Sequence, residues 1–407
     1  MTVSSNNPPA DSRPRRRWFR FSLRSLLIAT VVVSLFFGLI VRPALEERDA
    51  TEAIISKWGT VVYDWQVRAR GSDSHAKPER PGPEWLRRWL GAHWFEQVVE
   101  VRLSGASYSD DKDRFKAGSH LKKLPALRSL SVNSFDLTVE DYRLLGNFTR
   151  IDELWLNTNY ETRVQDAAEL ARNTGLRKLH ILRAKVSREA LLELTKLPNL
   201  ERLSISCSSY DPQTGDILKE FQLQDDVTEA LVRFFRLKSL SLFGTQITND
   251  GMAELSRLTQ LEHLTVSSPE ITGESFEYVV KLKNLESLGT WAWDLKNADF
   301  KKLQALPNLT SLDLQTEISA EQVPGITDLK RLEKLTLRGD EINDESLQHF
   351  YKLRGLTWLN LSDTRVKKYG AAAKALKKAF PNCTIRLPKT KEEEERKRAF
   401  RNLKYGG

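Results

Sequence analysis

Leu237-Lys238-Ser239-Leu240-Ser241-Leu242, followed by Phe243-Gly244-Thr245-Gln246-Ile247, decides how this 407-residue chain folds. Strict alternation sends Leu240 and Leu242 to one face of a strand and Ser239 and Ser241 to the other. Phe243-Gly244-Thr245 then makes a turn, and Ile247 returns to the core. Thr248-Asn249-Asp250-Gly251 reads as a helix start, because short polar side chains offer oxygen to free backbone N–H groups. A helix over Met252–Leu258 would align Met252, Leu255 and Leu258 on one side. Neither the strand nor the helix can bury its apolar face alone, so the unit has to stack.

The stretch recurs. L-x-x-L-x-L-like beats open at Leu127, Ile151, Leu176, Leu200, Leu237, Leu261, Leu285, Leu309, Leu332 and Leu356, with gaps of 24, 25, 24, 37, 24, 24, 24, 23 and 24 residues. A weaker beat opens at Val98. Ten beats in one register define an α/β fold, a leucine-rich-repeat solenoid with a parallel sheet on the concave side and helices on the convex side. The long gap holds extra residues around Asp211–Asp226, whose Asp-Pro, Thr-Gly and Asp-Asp pairs predict a protruding loop.

The N-terminus adds a different kind of segment. Residues 26–41 carry no charge, and extension back to Phe21 gives 21 residues with Arg24 as the single charge. At ~1.5 Å per residue this spans a bilayer core of ~30 Å. Arg13, Arg15, Arg16, Arg17, Arg20 and Arg24 crowd its N-terminal flank, beside Trp18, Phe19 and Phe21. The positive-inside rule then keeps the N-terminus cytoplasmic and exports the rest of a single-pass protein. A cleaved signal peptide is the competing reading; no Ala-x-Ala site follows the apolar run.

The predicted organisation is therefore a basic cytoplasmic segment over 1–24 and one transmembrane helix over 25–42. An N-terminal cap and linker over 43–97 precede the repeats over 98–370. A C-terminal cap over 371–388 and a charged tail over 389–407 complete the chain. In the first cap, Ala44–Trp58 reads as an amphipathic helix with Leu45, Ala53, Ile54 and Trp58 apolar. Val61, Tyr63 and Trp65 alternate as a strand would. Gly71–Pro83 is a soft linker, and Pro83 opens a short helix. The five tryptophans after Trp18 are expected in the core of this cap. At the other end, a helix over Ala371–Phe380 and a last strand carrying Ile385 and Leu387 should lid the stack. The tail reads as a solvated charge run.

Composition narrows the function classes. Of the net charge of +9, residues 1–24 carry +5 and residues 389–407 carry +3, which leaves +1 for the body. A nearly neutral solenoid argues against nucleic-acid binding. Cys207 and Cys383 lie seven strand steps apart, about 34 Å at ~4.8 Å per step, so no disulfide is expected. The six histidines have no metal-ligand spacing, and no His-Glu-x-x-His, Gly-x-Ser-x-Gly, phosphate loop or Cys-x-x-Cys is present. No enzyme, cofactor or metal is predicted. The sequons at Asn147, Asn308, Asn360 and Asn382 are incidental products of the repeat.

The outward strand positions form a floor of small hydroxyl residues with isolated large groups. Trp155, His180, Phe243, His263, Trp291, Asp313, Arg338 and Trp358 are the candidate protein-binding residues on this concave face, since aromatic side chains supply much contact area for little lost rotamer entropy. The alternative is that each merely packs against its cross-strand neighbour.

Three passages extend the reading beyond the repeats: Trp18–Leu27 entering the apolar run, Ala53–Asp64, and Gly82–Gly91 leading into Val98–Leu103. Together they resemble the membrane-anchored leucine-rich-repeat proteins of planctomycete bacteria. The resemblance covers nearly the whole chain. Where that group often has Gly-Gly before the cap strand, this chain has Trp58-Gly59. The usual asparagine after the repeat strand is missing in most repeats, and Thr245, Asp340 and Thr364 occupy its place. The resemblance implies location and architecture more than a job. The expected role is non-enzymatic display of a concave surface to a protein or cell-envelope ligand outside the cytoplasm; an intracellular F-box-type adaptor is the alternative.

Overall fold

Leu240 and Leu242 are fully buried and Ser241 between them is half-exposed, as alternation requires. Buried inward residues recur along a sheet of thirteen strands in sequence order, and outward Ser239, His180 and Gly289 are buried as well. The strands are β1 (Gly59–Tyr63), β2 (Val98–Ser104), β3 (Ser129–Asn133), β4 (Glu153–Asn157), β5 (Lys178–Leu182), β6 (Arg202–Ser206) and β7 (Ser239–Phe243). They continue as β8 (His263–Ser267), β9 (Ser287–Trp291), β10 (Ser311–Glu317), β11 (Lys334–Gly339), β12 (Trp358–Thr364) and β13 (Thr384–Arg386). This computed structural model describes residues 23–57, 59–70, 80–104, 118–133, 137–157, 162–207, 222–390 and Glu393.

From β2 onward all neighbours are parallel, and the register is continuous except for shifts after Leu314 between β10 and β11 and after Thr336 between β11 and β12. The first inward leucine of each strand pairs with the next, from Leu130 on β3 through Leu240 on β7 to Leu359 on β12. A slip of one residue would turn every one of them to solvent. Each buried leucine contributes about 1.5–3 kcal/mol, so the register is strongly specified. One position departs from the rule: Thr290 takes the second inward place on β9, fully buried, with its hydroxyl unpartnered.

Several convex segments start at polar caps, as was expected at Thr248. Thr138, Ser187, Thr248, Thr272, Asp299 and Asn343 each accept a backbone N–H of the turn that follows. The type repeat's helix is Asn249–Leu255 rather than Met252–Leu258, because the Thr248 hydroxyl already accepts from Asp250 N. Several convex segments are 3-10 helices, including Phe300–Ala305 and Asp344–Lys352. The tighter helix covers more length per residue. Buried Asn173 knits two turns together: its amide donates to Leu145 O and Phe148 O, and its oxygen accepts from Gly175 N and Leu176 N.

The expected loop at Asp211–Asp226 is corrected at its end. Asp225–Val227 is a 3-10 turn, and the Asp225 carboxylate accepts from Thr248 N at 2.9 Å and Thr248 Oγ1 at 2.6 Å. Residues 211–221 lie outside the described residues, as do the N-terminal arginines before Arg24 and most of the tail. Within the tail, Glu393 is tied back to Lys368 Nζ at 2.6 Å and to the Tyr369 hydroxyl at 3.1 Å.

At the N-terminal end one helix runs from Leu23 to Lys57, 35 residues long and apolar enough in its first part to cross a membrane. The expected boundary near residue 42 is not a break. Pro43 has no N–H and would clash with the carbonyl four residues back, and the π-helical turn Phe37–Val41 absorbs that conflict. The helix's far end packs on the solenoid through Ala50, Thr51 and Ile54, not through Leu45.

The cap differs from expectation in two further places. β1 runs antiparallel to β2 and ends at Tyr63, where Asp64 N still donates to Gln97 O at 3.0 Å as the chain turns into a helix. Trp65 therefore lies on the helix Asp64–Arg70 rather than on a strand. Gly59 is required in this pairing, since a Cβ there would sit 1.9 Å from the Arg102 carbonyl oxygen. The second correction concerns the tryptophans: Trp65 and Trp94 are half-buried, but Trp85 and Trp89 are exposed. Trp58 lies outside the described residues.

At the C-terminal end the helix Ala371–Ala379 buries Ala373 and Leu376, and β13 pairs with β12. Leu387 is buried and Ile385 partly so. Cys207 and Cys383 are both free thiols.

Candidate binding face

Outward positions on successive strands line up as rows. The middle row runs Arg102, Ser131, Trp155, His180, Ser204, Ser241, Thr265, Gly289, Asp313, Thr336, Asn360 and Arg386. Its centre is low: a Cβ at Gly289 would come within 2.8 Å of Thr265 Oγ1. The eight predicted residues do not converge on one point, but several meet in pairs.

Trp155 and His180 face each other across β4 and β5 and stack at 3.6 Å between ring centres, with 7° between planes. His180 is only 7% exposed. Its Nε2 lies 3.4 Å from Glu153 Oε1 in the neighbouring row. The contact with His180 is the main cause that holds the Glu153 carboxyl below its ordinary range, with Lys178 adding to it against the opposing effect of burial.

Phe243 and Trp291 meet edge to face at 5.6 Å and 89°. One strand separates them, so the rings close over Ser267 of β8, the register partner of Trp291. Ala292 adopts a left-handed backbone, φ 63°. This turn lets Trp291 stand at the rim, 38% exposed, while Trp293 points inward and donates Nε1–H to Val266 O. His263 stands half-buried between Ser239 and Ser287. Among the described residues no ring stacks on it.

Asp313 accepts from Gln315 Nε2 at 2.9 Å. Burial pushes its carboxyl above the ordinary range, and hydrogen bonds from Gln315 and Thr336 only partly oppose this. Arg338 is not on the floor beside it. The register shifts after Leu314, so Arg338 pairs with Glu317 and its guanidinium reaches that carboxylate at 3.2 Å, both exposed at the rim. Trp358 is covered in part by Arg386, whose guanidinium carbon lies 4.5 Å from the ring centre. Arg386 was missed from the sequence, although alternation with Ile385 places it outward.

The arrangement offers ring faces, an ionised carboxylate beside an imidazole, and a hydroxyl-lined floor. Those are the means of noncovalent recognition. Among the described residues no group of three or more His, Cys, Asp or Glu is placed to hold a metal ion.

The sheet, its repeating register and the convex segments define the class: a leucine-rich-repeat solenoid preceded by one helix long and apolar enough to span a membrane. No family model matches the sequence, and no curated protein matches it. Among solved structures, an internalin from Listeria monocytogenes matches with 19% identity over 75% of this chain and 89% of that chain, at a TM-score of 0.42.

Proposed function

We propose that this chain is a non-enzymatic, single-pass membrane protein that presents its concave sheet to a protein or envelope-polymer ligand outside the cytoplasm. The observation that supports it most is the face itself. Rows of outward side chains run unbroken from β2 to β13, with Trp291 exposed at the rim above a floor of serine, threonine and glycine. The apolar helix and its arginine-rich flank support the anchor and its orientation. They also weigh against an F-box-type adaptor, which needs the repeats in the cytoplasm. The likeness to planctomycete membrane-anchored repeat proteins accords with the same placement.

Two measurements test the reading. A cysteine replacing exposed Phe235 is expected to react with a membrane-impermeant maleimide on intact cells; protection until lysis would overturn the orientation. A photo-reactive residue at Ser241 on the floor is expected to capture a partner in native membranes, while one at Glu277 on the convex side does not. The reverse outcome moves the site off the concave face.

A further inference from the structure

The N-terminal cap carries two large rings that nothing in the described chain covers. Trp85 and Trp89 are 68% and 79% exposed and lie one turn apart on the helix Glu84–Leu90. The helix is tied to the segment that leads into it: the Arg87 Nη1 donates to the carbonyls of Arg80, Pro81 and Gly82. Bare paired indoles on an otherwise well-packed surface mark a contact with something else.

Their place along the long helix says what. The turn Ala92–Trp94, joined to Glu84–Leu90 by Gly91, packs on the helix segment Arg42–Lys57. His93 feels the charges of Arg48, Asp49 and Glu52 of that segment. The uncharged run ends at Val41, so these residues lie seven to eleven positions past it. At ~1.5 Å per residue the turn sits about 10–17 Å beyond the hydrocarbon edge. Trp89 is four residues from His93, and the headgroup layer adds about 5–8 Å outside the hydrocarbon. An indole on this short helix is thus within reach of the interfacial zone. Tryptophan suits that zone, with an apolar body and one N–H donor. Arg88 beside the rings keeps 79% of its side chain exposed, its charge balanced by Glu84 at 2.6 Å on the same helix.

We propose that the helix Glu84–Leu90 is a second membrane contact, with Trp85 and Trp89 seated in the headgroup region of the bilayer that the Leu23–Val41 segment crosses. One helix alone would let the solenoid swivel; a second contact fixes which way its concave face looks. The inference rests on the anchor reading, and the experiment separates the two.

The full-length chain, with Cys383→Ser to leave only fully buried Cys207, is placed in phosphatidylcholine–phosphatidylglycerol vesicles. Spin labels are attached in turn at Val33→Cys, Trp89→Cys and Phe235→Cys. Collision with membrane-dissolved oxygen is compared with collision with an aqueous nickel chelate. The expected result is a lipid environment at position 33, water at 235, and at 89 an oxygen-to-nickel ratio several-fold above that at 235. Water at position 33 would remove the anchor and this proposal with it. Lipid at 33 with position 89 as aqueous as 235 would overturn the interfacial contact alone. Shielding of position 89 from both reagents would assign the rings to a protein contact and overturn it as well. Because Val33, Trp89 and Phe235 are all exposed, these substitutions leave the core intact; matching circular dichroism spectra verify that.

Discussion

The two halves of the concave face rest on the same leucine floor and yet hold one carboxylate each in opposite ways. Toward the N-terminus, Glu153 lies against His180 and near Lys178, and these partners hold it ionised. Toward the C-terminus, Asp313 is held by neutral Gln315 and Thr336, and burial pushes it toward the protonated form. Inward leucines pair strand to strand in both, and only the C-terminal half carries register shifts, after Leu314 and Thr336. A solenoid therefore separates what folds it from what it shows: the inward residues repeat, and the outward ones are free to vary.

The largest effects should be blind to this difference. Leu203→Ala beneath the first half and Leu312→Ala beneath the second should each cost about 3 kcal/mol, read as faster hydrogen exchange in the strands concerned. Losses that differ by more than about 1 kcal/mol would show that the two halves are not packed alike. Asn173→Ala, which strips four hydrogen bonds from the first half, should cost about 2–3 kcal/mol. A loss near zero would mean that water replaces the amide.

Side chains on the face should separate the halves. His180→Ala removes a buried, stacked ring and should cost about 2 kcal/mol, while Trp291→Ala at the exposed rim should cost under about 1 kcal/mol. Equal costs would end the distinction between a structural pair and a presented one. Beneath the second half, Thr290→Val should stabilise by about 1 kcal/mol, because it removes an unpartnered buried hydroxyl and keeps the branched shape. A destabilised variant would reveal a partner for that hydroxyl.

The smallest effects lie in the pH dependence, and their signs are opposite. Glu153 is depressed in the folded chain, so its contribution is present above the unfolded value of 4.5 and lost as pH falls through the lower folded value. Asp313 is raised above 3.8, so the folded chain holds its proton more tightly and stability falls as pH rises through that window. Glu153→Gln should flatten the acid-side loss, and Asp313→Asn should relieve a cost at neutral pH. Unfolding followed from neutral pH to below 4 would show both slopes, and slopes of one sign would refute the contrast.

Much of this was legible in the chain. Period-2 alternation inside a 24-residue spacing leaves one way to bury the leucines, so Leu240, Leu264 and Leu288 defined strands and stack without any contact information. The polar cap at Thr248 was legible for a similar local reason. Side chains one strand apart are not local. The stack of Trp155 on His180 depends on register, and the meeting of Phe243 with Trp291 depends on the small residue between them. Arg338 left the floor because β10 gained residues after Leu314, a shift that leucine spacing hides.

The sequence alone determined the solenoid, its inward row and an N-terminal helix long enough for a bilayer, because hydrophobic period and length are properties of the chain. Only the tertiary structure decided that β1 runs antiparallel, that the apolar helix continues unbroken into the cap, and that Trp85 and Trp89 stay bare while Trp293 is buried. Burial is a relation between distant segments, and no tryptophan carries in its neighbours the record of what will come to cover it.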